Sequence, residues 1–197
     1  MRLGFIGPAK TNAAALEQAA KLLICDLEVD TVVYLSEDAA LREFIEKHKS
    51  EAADSPIQQQ VAEIAATGTP DEIEDVLRKL RGARYLEKLR VAPPPPRRAV
   101  EMLDDRIAMI VRNKSTIGEE DVINSNIVVY GDATELMFKR FGPRCFFSPG
   151  PLDTGHLGLL DDQSESGGVV LKAIDLNGEL FWSEPIQGRG AKVMVAP

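Results

Sequence analysis

The sequence predicts a four-layer α/β/β/α sandwich, in which two mixed sheets pack face to face with helices outside. Three observations lead there. The chain opens with a strand–helix–strand unit. Its middle carries a second set of apolar, β-branched strands that stop at glycine. Its tail is almost all strand, broken by turn residues.

Residues 2–7 (RLGFIG) form the first strand, ended by Gly7-Pro8. Asn12 is placed to cap a helix, along which Leu16, Ala20, Leu23, Ile24 and Leu27 recur at helical spacing. Residues 31–35 (TVVYL) make a second buried strand, and the crossover between the two is expected to be right-handed. Residues 37–49 form a second amphipathic helix through Leu41, Phe44 and Ile45. In 50–68, Ile57, Val61, Ile64 and Ala65 suggest one more. Thr69-Pro70-Asp71-Glu72 is a well-formed helix start: threonine caps, proline takes the first helical position and glutamate completes a capping box. Ile73, Val76, Leu77 and Leu80 are expected to give that helix its buried stripe, with Gly82 ending it.

Pro93 to Pro96 is a four-proline run, expected as a stiff polyproline II segment that serves either as a spacer or as a ligand for a partner domain. Residues 100–103 and 106–111 read as two strands joined at Asp104-Asp105, and 118–124 as a short helix. Ile127-Val128-Val129-Tyr130 is a continuous apolar run, the mark of a buried parallel strand. A short strand at 145–147 runs into Ser148-Pro149-Gly150-Pro151. Strands at 157–160, 169–176, 179–182 and 192–195 complete the chain, with Asn177-Gly178 as a two-residue hairpin turn and 163–168 (QSESGG) as a flexible loop. No internal repeat or linker divides residues 1–197, which read as a single domain.

Composition narrows the function. The net charge of −8 argues against nucleic acid, because affinity for a polyanion comes mainly from Lys and Arg neutralising phosphates. No apolar run approaches the ~20 residues that span a bilayer, and MRLGFIGPAK does not read as a signal peptide. Cys25 and Cys145 lie far apart inside apolar segments and read as buried, reduced thiols of a cytoplasmic protein. The chain holds only two histidines, His48 and His156. A hydrolase site with two transition metals draws several imidazoles, which this sequence does not supply.

The pairing of an apolar strand, Gly131-Asp132-Ala133-Thr134, and a second strand closing on Ser148-Pro149-Gly150 resembles the C-terminal signature of the calcineurin-like metallophosphoesterases. In that family the first loop reads Gly-His-x-His and the second Asn-Pro-Gly, so both histidine positions are altered, to Asp132 and Thr134. The resemblance extends over nearly the whole chain and locates the other motifs. The family's Asp-x-His-x-Asn after the first strand falls on Pro8, Lys10 and Asn12. Its Gly-Asp falls on Ser36-Glu37, with Asp38 beside it. Its Gly-Asn-x-Asp falls on Gly82-Ala83-Arg84-Tyr85, which makes Ala83 the lost asparagine ligand. A further histidine falls on Arg112, or on Asn113 one residue later.

The resemblance therefore implies a vestigial site, with no metal and no cofactor expected. Lys10 and Arg112 stand where dications would lie, and repulsion of a cation by one such charge is worth about 4 kcal/mol at about 4 Å with an effective dielectric near 20. With Glu37 and Asp132 they can form a self-neutral cluster, so one of the two cations is expected within ion-pair distance of one of the two carboxylates. The implied role is that of a scaffold, similar in kind to the small retromer subunit of eukaryotes, binding a protein partner or a second copy of itself. Two surfaces are candidates: Leu136, Met137, Phe138 and Phe141, which otherwise pack beneath the sheet edge, and the helical segment 50–68. Two alternatives stay open. One is a phosphodiesterase or phosphatase with a single metal at Glu37, Asp38 and Asp132. The other is a module that binds phosphate or a nucleotide weakly through Lys10 and Arg112 without hydrolysing it. Thr134 can simply cap a turn, His156 can be a surface side chain, and the basic turn at Gly188, Arg189, Gly190 and Lys192 can be a solvated loop or contact an anion.

Overall fold

A computed structural model of the chain describes residues 1–53, 68–104, 106–162 and 168–186. The first sheet is six-stranded, in the order β11-β10-β9-β1-β2-β3, formed by Leu180–Pro185, Val170–Asp175, His156–Asp161, Arg2–Ile6, Thr31–Tyr34 and Leu89–Val91. The second is five-stranded, in the order β4-β5-β6-β8-β7, formed by Ala99–Leu103, Arg106–Val111, Ile127–Tyr130, Arg144–Ser148 and Met137–Phe141. Parallel pairing joins β1 to β2 and β2 to β3 in one sheet, and β5 to β6 and β6 to β8 in the other. The meander β9–β10–β11 and the outer strands β4 and β7 pair antiparallel. Both sheets are thus mixed.

Alternation along each strand sorts the core. Leu3 and Phe5, Val33 and Leu35, Ile127 and Val129, Phe147 and Leu160 face one another between the sheets, all nearly inaccessible. The opposite residues Ile6, Val32, Tyr34, Leu157 and Leu159 face a helical layer of α1 (Ala13–Lys21), α2 (Ala39–Ala53) and α3 (Pro70–Lys88), meeting Leu16, Leu23, Leu41, Phe44 and Tyr85. A π-helical turn over Leu22–Asp26 extends α1. The outer face of the second sheet is thinly covered. There Met109, Val111, Val128 and Tyr130 pack with Ile117 and Ala133, and α4 (Glu119–Asn124) is the one α-helix after α3 among the described residues.

Several expectations are corrected. The helix from Thr69 has its capping box, with the Thr69 N–H donating to Glu72 Oε2 at 2.8 Å, but it does not end at Gly82. It continues to Lys88, with Gly82 and Tyr85 as its buried residues. A glycine inside a helix costs about 1 kcal/mol against alanine, which the packing of this segment offsets. The expected apolar stripe faces the other way: Ile73, Leu77 and Leu80 are 38, 46 and 37% exposed. The proline run bends instead of extending, because the Arg97 N–H donates to the Pro94 carbonyl at 3.0 Å. It is a turn that carries the chain from β3 in one sheet to β4 in the other. The Asn177-Gly178 hairpin loop holds one residue more than expected, since Asp175 N–H meets the Glu179 carbonyl while Gly178, at φ +86°, donates to the Asp175 carbonyl. That is a turn followed by a left-handed glycine. Strands β3 and β7 were not foreseen. The helix expected within 50–68 lies, past residue 53, outside the described residues, as do Asp105, the loop at 163–167 and the strand and basic turn beyond residue 186.

Gly7 ends β1 where it passes over the Ser148–Pro151 loop. A β-carbon at residue 7 would lie 1.7 Å from the Gly150 carbonyl oxygen, and the obstacle is backbone. Gly7→Ala is therefore expected to cost about 3 kcal/mol or more, read as a shift of the midpoint in urea unfolding with an unchanged slope.

Candidate functional site

The parallel strands of both sheets end at a common edge. Residues after β1, β2, β3, β5, β6 and β8 meet there, in the position where ligands sit on α/β sheets. Backbone bonds knit the loops: Ala92 N–H to the Tyr34 carbonyl (2.9 Å), Leu152 N–H to the Pro8 carbonyl (2.9 Å) and Gly131 N–H to the Arg112 carbonyl (3.2 Å).

Arg112 follows β5, and its side chain is mostly buried. Its Nε donates to the Ala92 carbonyl at 2.5 Å and its Nη1 to Glu37 Oε2 at 2.6 Å. The guanidinium thus ties a loop of the second sheet to two loops of the first. The hydrogen bond from Arg112, and then its charge, hold the Glu37 carboxyl below the usual carboxylate range. The expected ion pair is present, but as a pair and not as a cluster of four.

The neighbouring Asp38 is turned the other way. Its Oδ2 accepts from the Tyr34 hydroxyl at 2.6 Å and from the Lys10 N–H at 2.8 Å, while Oδ1 accepts from the Leu41 N–H at 3.1 Å and so caps α2. Tyr34 is fully buried. Its hydroxyl also accepts from the Ala9 N–H at 2.7 Å, so one phenol satisfies a loop amide and a carboxylate together. Burial, reinforced by the bond to Asp38, pushes the Tyr34 phenol well above its ordinary range, and it stays protonated. Lys10 adopts left-handed backbone, φ 60°, a conformation that costs a β-carbon-bearing residue about 1 kcal/mol. Here it aims the Lys10 amide at Asp38.

The Lys10 ammonium goes elsewhere. It pairs with Asp153 at 2.7 Å, both groups more than 60% exposed, an arrangement worth about 0–1 kcal/mol. Asp132 accepts the Lys114 N–H at 3.0 Å and fixes the turn after β5. Asn113 accepts the Ser115 N–H at 2.8 Å and caps the same turn, and Asn12 caps α1 by accepting the Ala15 N–H at 3.0 Å. Thr134 lines a cavity of about 370 Å³ with Lys114, Tyr130, Asp132, Glu135 and Lys139. Ala83 is not at the edge at all. It lies inside α3, because that helix continues past Gly82, and the loop that follows a strand here begins at Ala92.

Tyr34, Asp153 and Ala92 are the participants the sequence reading missed. Tyr34 had a signal: in TVVYL it alternates with valines, and a buried tyrosine needs a partner for its hydroxyl. Of the expected partner surface, Leu136 and Phe138 pack against the inter-sheet core, with Phe138 4.3 Å from the Trp182 ring centre. Met137 accepts from the Tyr130 hydroxyl at 3.3 Å. Phe141 alone of the four is well exposed, at 62%.

The donors do not fit a two-metal centre. Among the described residues no three His, Cys, Asp or Glu converge, and the three carboxylates expected to share one ion point to separate partners: Glu37 to Arg112, Asp38 to Tyr34 and two backbone amides, Asp132 to Lys114. Among the described helices, none is long and apolar enough to cross a membrane.

Two changes test these bonds. Tyr34→Phe strands the Ala9 amide and removes one of the two donors to Asp38 Oδ2, so it is expected to cost about 1–3 kcal/mol by chemical unfolding. Glu37 has its pKa depressed in the folded state. Its contribution is therefore present above the unfolded value of about 4.3 and is lost as pH falls through the lower folded value. Glu37→Gln is expected to lower the melting temperature at pH 7, with the difference from the parent chain closing below about pH 4.

No protein-family model and no curated protein sequence matches the chain. Solved structures do. The E. coli phosphoesterase Yfce superposes with a TM-score of 0.57 at 16% identity, over 95% of this chain and 100% of that one. A conserved protein of Streptococcus pneumoniae, described as a predicted phosphoesterase, gives 0.53 at 13% identity over 93% and 95%. An archaeal phosphodiesterase gives 0.50 at 15% identity over 88% and 100%. At such identities the likeness concerns architecture, and the architecture of this chain is the calcineurin-like metallophosphoesterase fold.

Proposed function

We propose that this chain is a catalytically degenerate metallophosphoesterase-like protein of the cytoplasm, one domain that acts as a regulatory or protein-binding scaffold and not as a hydrolase. The observation that carries the reading is the arrangement at the strand ends. Pro8, Lys10, Ala92, Arg112 and Thr134 bring no carboxylate or imidazole to the edge, and each remaining carboxylate already accepts hydrogen bonds from the protein itself. A metal-bound hydroxide needs several open ligands held on one point. Here the acceptors diverge, and Arg112 holds a fixed positive charge among them. What the fold keeps is a rigid edge of six loop ends, a platform of the kind on which binding residues are usually carried.

Purified protein incubated with a chromogenic phosphodiester and added Mn²⁺ is expected to show no turnover above the buffer blank. Metal analysis after gel filtration is expected to find well under one ion per chain. Turnover that Asp132→Asn abolishes, with about one Mn²⁺ retained, would instead establish the single-metal hydrolase.

A further inference from the structure

The outward face of α3 is built to pair with another helix. Ile73, Leu77 and Leu80 follow a four-then-three spacing, the seam of a coiled coil, and Arg84 takes the next seam position. All three apolar side chains are substantially exposed. The buried residues of the helix, Gly82 and Tyr85, lie away from this face, and Tyr85 packs against Phe44 and His48 of α2. One flank of the seam carries Glu74 and Arg81, seven residues apart and equivalent in register. The other flank carries Val76 and Ala83, which are small, half-buried and uncharged.

This pattern distinguishes among occupants. When two helices pack antiparallel, each flank faces its own counterpart. A two-fold axis between Leu77 and Leu80 then sets Glu74 of one chain against Arg81 of the other, twice, with Leu77 opposite Leu80, Ile73 opposite Arg84 and Val76 opposite Ala83. A parallel pair would instead put Glu74 against residues of the other flank, and no such charge match arises. The face is complementary to itself in one orientation, as an isologous contact requires. Within the isolated chain Glu74 and Arg81 reach each other at 2.7 Å, with their side chains 69% and 45% exposed. Such a solvated pair exchanges partners at little cost.

We infer that two copies of this chain associate through α3, antiparallel about an axis between Leu77 and Leu80. The inference supplies a partner for the binding role proposed above but stands on α3 alone, so hydrolysis at the strand ends would leave it untouched. A 19-residue helix is about 28 Å long, and one helix on one helix buries less than the ~800 Å² per partner of a standard interface. The dimer is therefore weak and concentration-dependent.

Sedimentation velocity on the full chain over a concentration series tests it. The parent chain is expected to shift from monomer toward dimer, and Leu77→Glu to weaken association about tenfold or more. Glu74→Arg and Arg81→Glu are each expected to weaken it too, since each sets like charges across the axis. An equimolar mixture of those two variants is expected to recover association as a heterodimer, because opposite charges again face across the seam. The recovery is diagnostic: inside each variant chain residues 74 and 81 still repel, so only contact between chains can restore attraction. All substituted positions are solvent-facing, and far-UV circular dichroism verifies that the fold is kept. A parent chain that stays monomeric throughout, a dimer unaffected by Leu77→Glu, or a mixture no better than its components would each overturn the inference.

Discussion

Arg112 joins the two sheets at the edge where their parallel strands end. It leaves β5 of the second sheet, hydrogen-bonds the Ala92 carbonyl after β3 and then pairs with Glu37 after β2. Away from that edge the sheets are held mainly by apolar contact, which is strong but indifferent to direction. Further polar links run from Arg90 to Glu101, from Arg106 to the Ile186 carbonyl and from Arg140 to Glu184 and the Pro185 carbonyl. Directional bonds are what fix loop ends relative to one another, and a guanidinium with its planar fork of donors suits that task better than an ammonium. Glu37 is largely exposed, so the ion pair itself adds little stability. The bond to the Ala92 carbonyl, made by the mostly buried part of the same side chain, is the firmer attachment.

An edge built to hold divalent ions and stripped only of its histidines would leave carboxylates facing one another. Mutual repulsion would then raise their affinity for protons. The opposite holds for Glu37, whose carboxyl is pulled down by its arginine. Asp38 is likewise satisfied by three donors from three different residues. Glu37, Asp38 and Asp132 each find a donor within the protein itself, and those bonds hold the loops in place.

Much of this was readable in the residues. Strands with uninterrupted β-branched runs, such as Thr31–Tyr34 and Ile127–Tyr130, stand out because burial on both faces demands such side chains. The caps of Asn12 and Thr69 were equally plain. β7 was not, since MFKRF lies at the sheet edge with its last three residues exposed and shows no clean alternation. β3 was hidden because three residues directly abut a helix that runs through its own glycine. That one misjudged helix end also set Ala83 at the strand-end edge, where Ala92 stands instead. The Asp175 carboxylate, accepting the Asn177 and Glu179 amides at 2.8 Å each, added a residue to a turn whose sequence alone favours two. At the site the residue types were legible but their partners were not. Lys10 and Asp153 are 143 positions apart, and no local rule links them.

α3 shows how far a periodic pattern can mislead, and why. The stripe at Ile73, Leu77 and Leu80 has the spacing of a core-facing helix, and periodicity says only that these side chains share a face. Which face turns inward is decided by the competing side. Gly82 and Tyr85 are the buried residues, and the tyrosine ring meets His48 edge-on at 5.0 Å and Phe44 at 5.9 Å. An aromatic cluster of that size excludes more water than two leucines at a helix end. The apolar stripe is thereby left outside, with Glu74 and Arg81 beside it. An amphipathic helix whose apolar side points away from its own core has not lost its driving force to bury that surface; the force is directed at whatever meets it from solution.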